Sequence, residues 1–206
     1  MALLVRHKDI KAHNILLKRT TSGTNFLFTD FGIALDFSEI ARSTTEGPQP
    51  QRTLRYCAPE VAHELRRGRR SDVFSLGCLF LEVITVLMGY TLDDLDEWLG
   101  GDGVFHESHI EIGSWIEKLK KEGDDATVML LKWIEPMLRR RPDTRPQARK
   151  LVDNITEDTK MQRGLRKRTF CSVCIDELKV QKKITSTQMS QDSQDQTDSD
   201  YDFGTS

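Results

Sequence analysis

Cysteine is scarce in this chain, with Cys57, Cys78, Cys171 and Cys174 the four present among 206 residues. Two of them fall in apolar or motif-bearing segments, which argues against an extracellular disulfide framework and for the reducing cytoplasm or nucleus. An excess of one charge is also missing. Lys and Arg total 30 against 32 Asp and Glu, a formal net charge of -2, so neither nucleic acid nor a membrane surface is expected as a partner. There is no secretory leader pattern, because the opening apolar run stops at Arg6, His7 and Lys8. Long uninterrupted apolar runs are absent as well. The longest, Val73 to Tyr90, follows Asp72 and contains Glu82, so it reads as a buried core helix and not a membrane span. No internal repeat is visible. What remains is an ordinary globular composition, 37% hydrophobic and 30% charged, long enough for one domain and a tail.

The segment Arg6 to Asn14 is polar and irregular and reads as a loop. Ile15 to Lys18 and Phe26 to Thr29 are β-prone, and the turn-rich Arg19 to Asn25 between them predicts a hairpin with a longer loop. Residues 32–56 lack periodicity and form a long excursion, of the kind that is functional or disordered in compact domains. From Pro59 the chain becomes helical. Glu60 to Arg66 reads as a short helix, and Ser71 or Asp72 can cap a Val73 to Met88 helix that is apolar on nearly all sides. Glu107 to Lys121 sets Ile110, Ile112, Trp115, Ile116 and Leu119 mostly on one face, and Ala126 to Arg139 does so with Val128, Leu131, Ile134 and Leu138. Pro146 suits the first turn of a last helix carrying Leu151, Val152 and Ile155. Beyond Asp158 the pattern fades. A basic stretch and then an acidic, Ser/Gln-rich one predict a disordered tail over 159–206.

Chemistry concentrates near the start. Asp9, Lys11 and Asn14 share one loop, and a hairpin returns Asp30 towards Asn14. An Asp carboxylate and an Asn carbonyl are hard oxygen ligands suited to Mg²⁺. Lys11 can neutralise a transferring phosphoryl group, and Asp9 can accept a hydroxyl proton. By composition alone, such a loop is more often turn chemistry than a metal site.

Spacing changes that balance. His7-Lys-Asp-Ile-Lys-Ala-His-Asn14 resembles the catalytic loop of eukaryotic-type Ser/Thr protein kinases, Asp30-Phe31-Gly32 their metal-binding triplet, and Ala58-Pro59-Glu60 the end of their activation segment. The three occur in the family's order. Thr29-Asp-Phe-Gly-Ile-Ala34 and Tyr56-Cys-Ala-Pro-Glu60 are similar to kinases of fungal genomes. The resemblance implies that Asp9 is the base, that Lys11 contacts the γ-phosphate of ATP, and that Asn14 and Asp30 hold Mg²⁺. It further implies that Thr53 bridges Asp9 and Lys11, as in the Ser/Thr branch. Glu60 would pair with Arg145, and Asp72 would hold the catalytic-loop backbone. Leu16 would lie under the adenine, with His7 and Phe31 packed behind the site. Gly32 completes the triplet.

The pattern departs from the family in two ways. Lys8 stands where an Arg is usual and offers a loop phosphate at Ser43, Thr44 or Thr45 only a point charge. The Gly-rich loop, strand Lys and helix Glu of a small lobe do not appear ahead of His7. The fold expected is therefore mainly α with a small β-hairpin: a kinase-like large lobe over 1–158, small lobe absent. The function implied is ATP- and Mg²⁺-dependent phosphoryl transfer to Ser or Thr of a protein substrate, with these 206 residues inactive alone. The rival is a non-catalytic lobe that binds substrates or other kinases, and a truncated gene model is a third reading. An exposed lobe surface around Leu16 and Phe31 would call for a covering partner. Cys171-Ser-Val-Cys174 has metal spacing without a second ligand pair and reads as two tail thiols. Arg66-Arg-Gly-Arg-Arg70 and Arg139-Arg-Arg141 read as solvated or salt-bridged charge.

Overall fold

The computed structural model describes residues 5–36 except 22 and 33, residues 53–63, residue 65, and residues 68–161. The chain divides into two units, Met1–Asp158 and Thr159–Ser206, and the architecture below is that of the first. Ser43 to Thr45, the Cys171–Cys174 pair and the charged tail lie outside the described residues.

Two small sheets frame the start of the unit. Strand β1 (Val5–Arg6) pairs antiparallel with β4 (Leu35–Asp36), so the chain returns to the loop that begins at His7. Strands β2 (Ile15–Thr20) and β3 (Gly23–Phe28) pair from Ile15↔Phe28 to Thr20↔Gly23. The hairpin turn is two residues long, tighter than the loop predicted between Lys18 and Phe26. Gly23 takes φ +142°, a region open to glycine, and Thr20 Oγ1 donates to the Gly23 carbonyl at 2.9 Å. These let the ladder run to the turn itself.

Among the described residues the longer elements that follow are helices: α1 (Pro59–Ala62), α2 (Arg70–Leu87), α3 (Leu92–Trp98), α4 (His109–Glu122), α5 (Asp125–Met137) and α6 (Ala148–Met161), the last three residues of α6 lying past the end of the first unit. This is the mainly α, kinase-like helical lobe with a small antiparallel hairpin that the sequence predicts. The core gathers Phe74, Leu81, Phe105, Trp115, Leu119 and Leu131, all nearly solvent-free. Trp115 keeps its indole N–H satisfied by donating to Thr85 Oγ1 on α2 at 2.9 Å. Gly77 lets α2 lie close against α5, since a Cβ there would stand 2.9 Å from Met137 Cβ.

Four details correct the sequence reading. Helix α2 starts at Arg70, and neither Ser71 nor Asp72 caps it. Ser71 Oγ donates to the Gly68 carbonyl, while Asp72 turns to the loop at His7 and Lys8. Nor is α2 buried all round, because Phe80, Val83, Val86 and Leu87 are 38%, 44%, 53% and 72% exposed along one side. On α4, Ile110 faces solvent opposite the buried Ile112–Trp115–Ile116–Leu119 stripe. On α5 the stripe starts at Thr127 and not Val128: the Thr127 hydroxyl meets Met88 Sδ on the inner side and donates to the N-cap Asp124, while Val128 is 40% exposed. Helix α3 has no counterpart in the sequence reading. Its N-terminus carries a reciprocal cap in which Asp94 N–H donates to Thr91 Oγ1 and Thr91 N–H to Asp94 Oδ2. No single helix among the described residues is long and apolar enough to cross a membrane.

Candidate active site

The loop after β1 is held in shape by a residue far away in sequence. Lys8 sits at φ 72°, a left-handed conformation that a β-carbon disfavours. Asp72, on the first turn of α2, accepts the N–H of His7 at 2.6 Å and that of Lys8 at 3.1 Å. Those two bonds over-determine the turn and hold its strain. Burial pushes the Asp72 carboxyl above the usual range, against the pull of the His7 N–H and the Arg6 charge. On the other side of the turn, His7 Nε2 donates to the Thr29 carbonyl at 2.9 Å, and its ring packs 4.7 Å from Phe31 and 5.9 Å from Phe28. The loop is thus tied both to α2 and to the exit of the hairpin.

That scaffold aims Asp9 into a ring of donors. Lys11 Nζ lies 2.7 Å from Asp9 Oδ2, Asn14 Nδ2 donates to the same oxygen at 2.9 Å, and Thr53 Oγ1 donates to Oδ1 at 3.0 Å. Lys11 Nζ also donates to Thr53 Oγ1 at 3.3 Å, closing a triangle of Asp9, Lys11 and Thr53 across 44 residues of sequence. Partial burial alone would raise the Asp9 pKa. The bonds from Lys11, Thr53 and Asn14, with the Lys11 charge, outweigh it and hold the carboxyl below its usual value. Asp9 is therefore an ionised acceptor with fixed direction.

Asn14 donates a second time, from Nδ2 to the Asp9 carbonyl at 2.8 Å. Both amide hydrogens are then committed to Asp9, and the Asn14 carbonyl oxygen is the atom left for a cation. The hairpin closes next to it, because the Thr29 N–H donates to the Asn14 backbone carbonyl at 2.9 Å. Asp30 follows at φ 60° and is exposed, and among the described residues its side chain meets a long 3.4 Å contact from the Gly32 N–H. An amide oxygen and an exposed carboxylate on joined backbone segments fit the hard, partly hydrated coordination of Mg²⁺. No group of three or more His, Cys, Asp or Glu forms a closed metal site among the described residues. The shell of a cation here would thus be completed by other oxygens. Leu16 and Phe31 flank this region at 56% and 54% exposure.

The family model for the protein kinase domain matches residues 2–155. The chain belongs to the protein kinase family. It is 28% identical over 153 residues to the serine/threonine-protein kinase Nek6 of Oryza sativa, a match covering 72% of this chain and 24% of that one. It is 33% identical over 135 residues to the leucine-rich repeat receptor-like protein kinase PEPR1 of Arabidopsis thaliana, covering 64% and 10%. With the serine/threonine-protein kinase PknB of Mycobacterium tuberculosis it shares 37% over 79 residues, 38% and 12%. The chain thus spans a quarter or less of the length of these curated relatives.

Two further constellations fix the segment that follows Thr53. Arg145 Nη1 and Nη2 grip the Glu60 carboxylate at 2.7 and 2.8 Å, with both side chains buried. The guanidinium also donates to the carbonyls of Arg70, Arg139 and Arg140 and lies over the Phe74 ring, so all five of its N–H groups are used. The second constellation was not singled out from the sequence. Glu82, buried mid-way along α2, accepts from Tyr56 Oη at 2.8 Å and from Arg55 Nε at 2.5 Å, while Arg55 Nη1 reaches Asp96 on α3 at 2.7 Å. Burial and the Glu82 charge hold the Tyr56 hydroxyl well above its usual pKa. The available signal was Glu82 itself, since a carboxylate inside an otherwise apolar helix requires a partner.

Proposed function

We propose that the kinase transfers the γ-phosphoryl group of ATP to Ser or Thr of a protein substrate. The observation that carries this reading is the Asp9–Lys11–Thr53 triangle with Asn14 behind it. Asp9 presents an ionised oxygen as acceptor for the proton of an incoming hydroxyl, and its other bonds keep that oxygen from turning away. Lys11 stands beside it as a positive charge for the phosphate being transferred. Asn14 and Asp30 are the residues to hold Mg²⁺, which when bound supplies charge neutralisation along the triphosphate. Thr53 holds Asp9 and Lys11 together from the segment anchored by Glu60–Arg145, and this links the shape of that segment to the position of the base. Assignment to Ser and Thr rests on Lys11 and Thr53, and two of the relatives above carry that specificity in their names.

Activity requires a Gly-rich loop and a strand Lys over the nucleotide, so it is proposed for a chain that includes them, and residues 1–206 alone are expected to be inactive. A second reading is favoured by one observation. Leu16, Leu17, Phe26, Leu27, Phe28 and Phe31 are 43% to 66% exposed around the hairpin, a surface suited to being covered by another lobe or a protein partner. On that reading the chain is a non-catalytic interaction module. The test is γ-phosphate transfer to a generic Ser/Thr substrate with Mg²⁺ and ATP, using the chain joined to the coding sequence upstream of Met1. Transfer abolished by Asp9→Asn and by Asp30→Asn supports catalysis. A folded long chain that transfers nothing leaves the interaction module as the function.

A further inference from the structure

Away from the catalytic loop, three aromatic rings meet at one point between the end of α2, α3 and α4. Tyr90 and Trp115 stand 5.1 Å apart at 65°, and Trp98 and Trp115 stand 5.2 Å apart at 58°. The polar edge of each ring is bonded to its own surroundings. Tyr90 Oη donates to Glu122, Trp98 Nε1 to Ser114 Oγ at 2.9 Å, and Trp115 Nε1 to Thr85 Oγ1 at 2.9 Å. With Asp94, Glu97 and Lys118 the three rings line a recess of ≈ 270 Å³, Tyr90 and Trp98 partly exposed and Trp115 its solvent-free floor. Lys118 forms one wall of it, with its ammonium group turned to the rings. Its Nζ lies 4.0 Å from the Tyr90 centroid, 4.6 Å from that of Trp115 and 5.2 Å from that of Trp98.

We propose that this recess is a binding site for an alkylammonium ion and that Lys118 is its internal occupant in the free chain. Several non-parallel π faces around one point, with carboxylates at the edge, form the arrangement that attracts organic cations. The hydrogen bonds of the ring edges hold the arrangement before any ligand arrives, so little ordering is left for binding to accomplish. Lys118 shows that the position accepts an ammonium group. Its partly exposed, flexible stem lets it withdraw to solvent when another cation enters. A methylated ammonium is favoured over a plain one because its weaker hydration is easier to lose against aromatic faces. The site shares no residue with the Asp9 cluster, so it stands whether or not the phosphoryl-transfer reading does.

Tetramethylammonium chloride, with sodium chloride as the ionic control, is titrated into the full chain while tryptophan fluorescence is followed. The expected result is a saturable change that is about tenfold tighter in Lys118→Met than in wild type, since one internal cation no longer competes. The change should be lost in Trp98→Ala, and Trp98→Phe serves as the variant that keeps an aromatic face. Circular dichroism checks that each variant is folded. A peptide bearing trimethyllysine, compared with its unmodified form, separates the two sources of the cation. Stronger binding of the modified peptide than of tetramethylammonium identifies a protein side chain, and equal binding identifies a free small cation. Absence of any saturable change in folded Lys118→Met overturns the proposal, as does a change that survives Trp98→Ala.

Discussion

Replacing Arg145 with alanine should be among the most damaging single changes in the molecule, and the structure gives both the size and the ordering of the effects. The guanidinium is solvent-free, grips Glu60 through two bonds and satisfies the carbonyls of Arg70, Arg139 and Arg140. Removing one partner of a buried ion pair costs ~3–5 kcal/mol, because the other charge stays behind unpaired. Arg145→Ala leaves the Glu60 carboxylate and three carbonyls without donors, which places it at the upper end. Glu60→Ala leaves Arg145 its three carbonyl acceptors, so it should cost less, roughly 3 kcal/mol. The double variant contains no stranded charge and should fall short of the sum of the singles by ~2 kcal/mol. Urea unfolding followed by tryptophan fluorescence measures all three, with thermal midpoints expected to drop by about 6–20 °C for the singles. If the wild-type margin is too small for a full deletion, Glu60→Gln keeps one acceptor and gives a softer step. Single-variant losses below about 1 kcal/mol, or strictly additive singles, would refute the reasoning, because neither fits a dry, fully bonded pair.

Asp72→Asn should destabilise by ~1–3 kcal/mol, since an amide offers one acceptor oxygen to two N–H groups and leaves His7 or Lys8 unmatched; hydrogen exchange at those two amides should quicken together. Gly77→Ala should lower stability by ~1–2 kcal/mol in the same urea assay, the crowding against Met137 and Leu138 exceeding the gain in helix propensity. The Asp9 carboxyl is held below the usual 3.8 in the folded chain, so its contribution is present above that pH and is lost as pH falls through the lower folded value. Urea midpoints should therefore decline less steeply with acid in Asp9→Asn than in wild type, and identical slopes would count against the donor ring around Asp9.

Much of the cluster around Asp9 was legible because its members lie in one short, ordered string. Asp9, Lys11 and Asn14 lie within six residues, and the hairpin that returns Asp30 to them was legible from Ile15 to Lys18 and Phe26 to Thr29. The details missed are those decided by contact over distance. A local window offers Asp72 only as a helix cap; its tie to the loop came from the family resemblance, and its bonds do reach 64 and 65 residues back to Lys8 and His7. The turn at Thr20 and Gly23 is tight because one glycine and one hydroxyl close it, a matter of φ and not of composition. Helix α3 escaped because it buries Leu95 within a seven-residue span, too short to show a period. Ile110 and Val128 were placed inside because they are apolar. The buried faces of α4 and α5 are set instead by what α2 and its end present to them.

Glu82 also limits the order in which this sequence can change. Arg55 and Tyr56 converge on it from one short segment, and Arg55 extends the link to Asp96. A neutral residue at 82, introduced first, would leave the Tyr56 hydroxyl unmatched and reduce Arg55 to its bonds with Asp96 and the Gly103 carbonyl; an apolar residue at 55, introduced first, would leave the buried carboxylate with the tyrosine alone. Either single step passes through a weakened intermediate, whereas paired replacement does not. Positions 55 and 82 should therefore drift as a couple over evolutionary time, and a homologue that has lost the acid at 82 should also have lost the positive charge at 55.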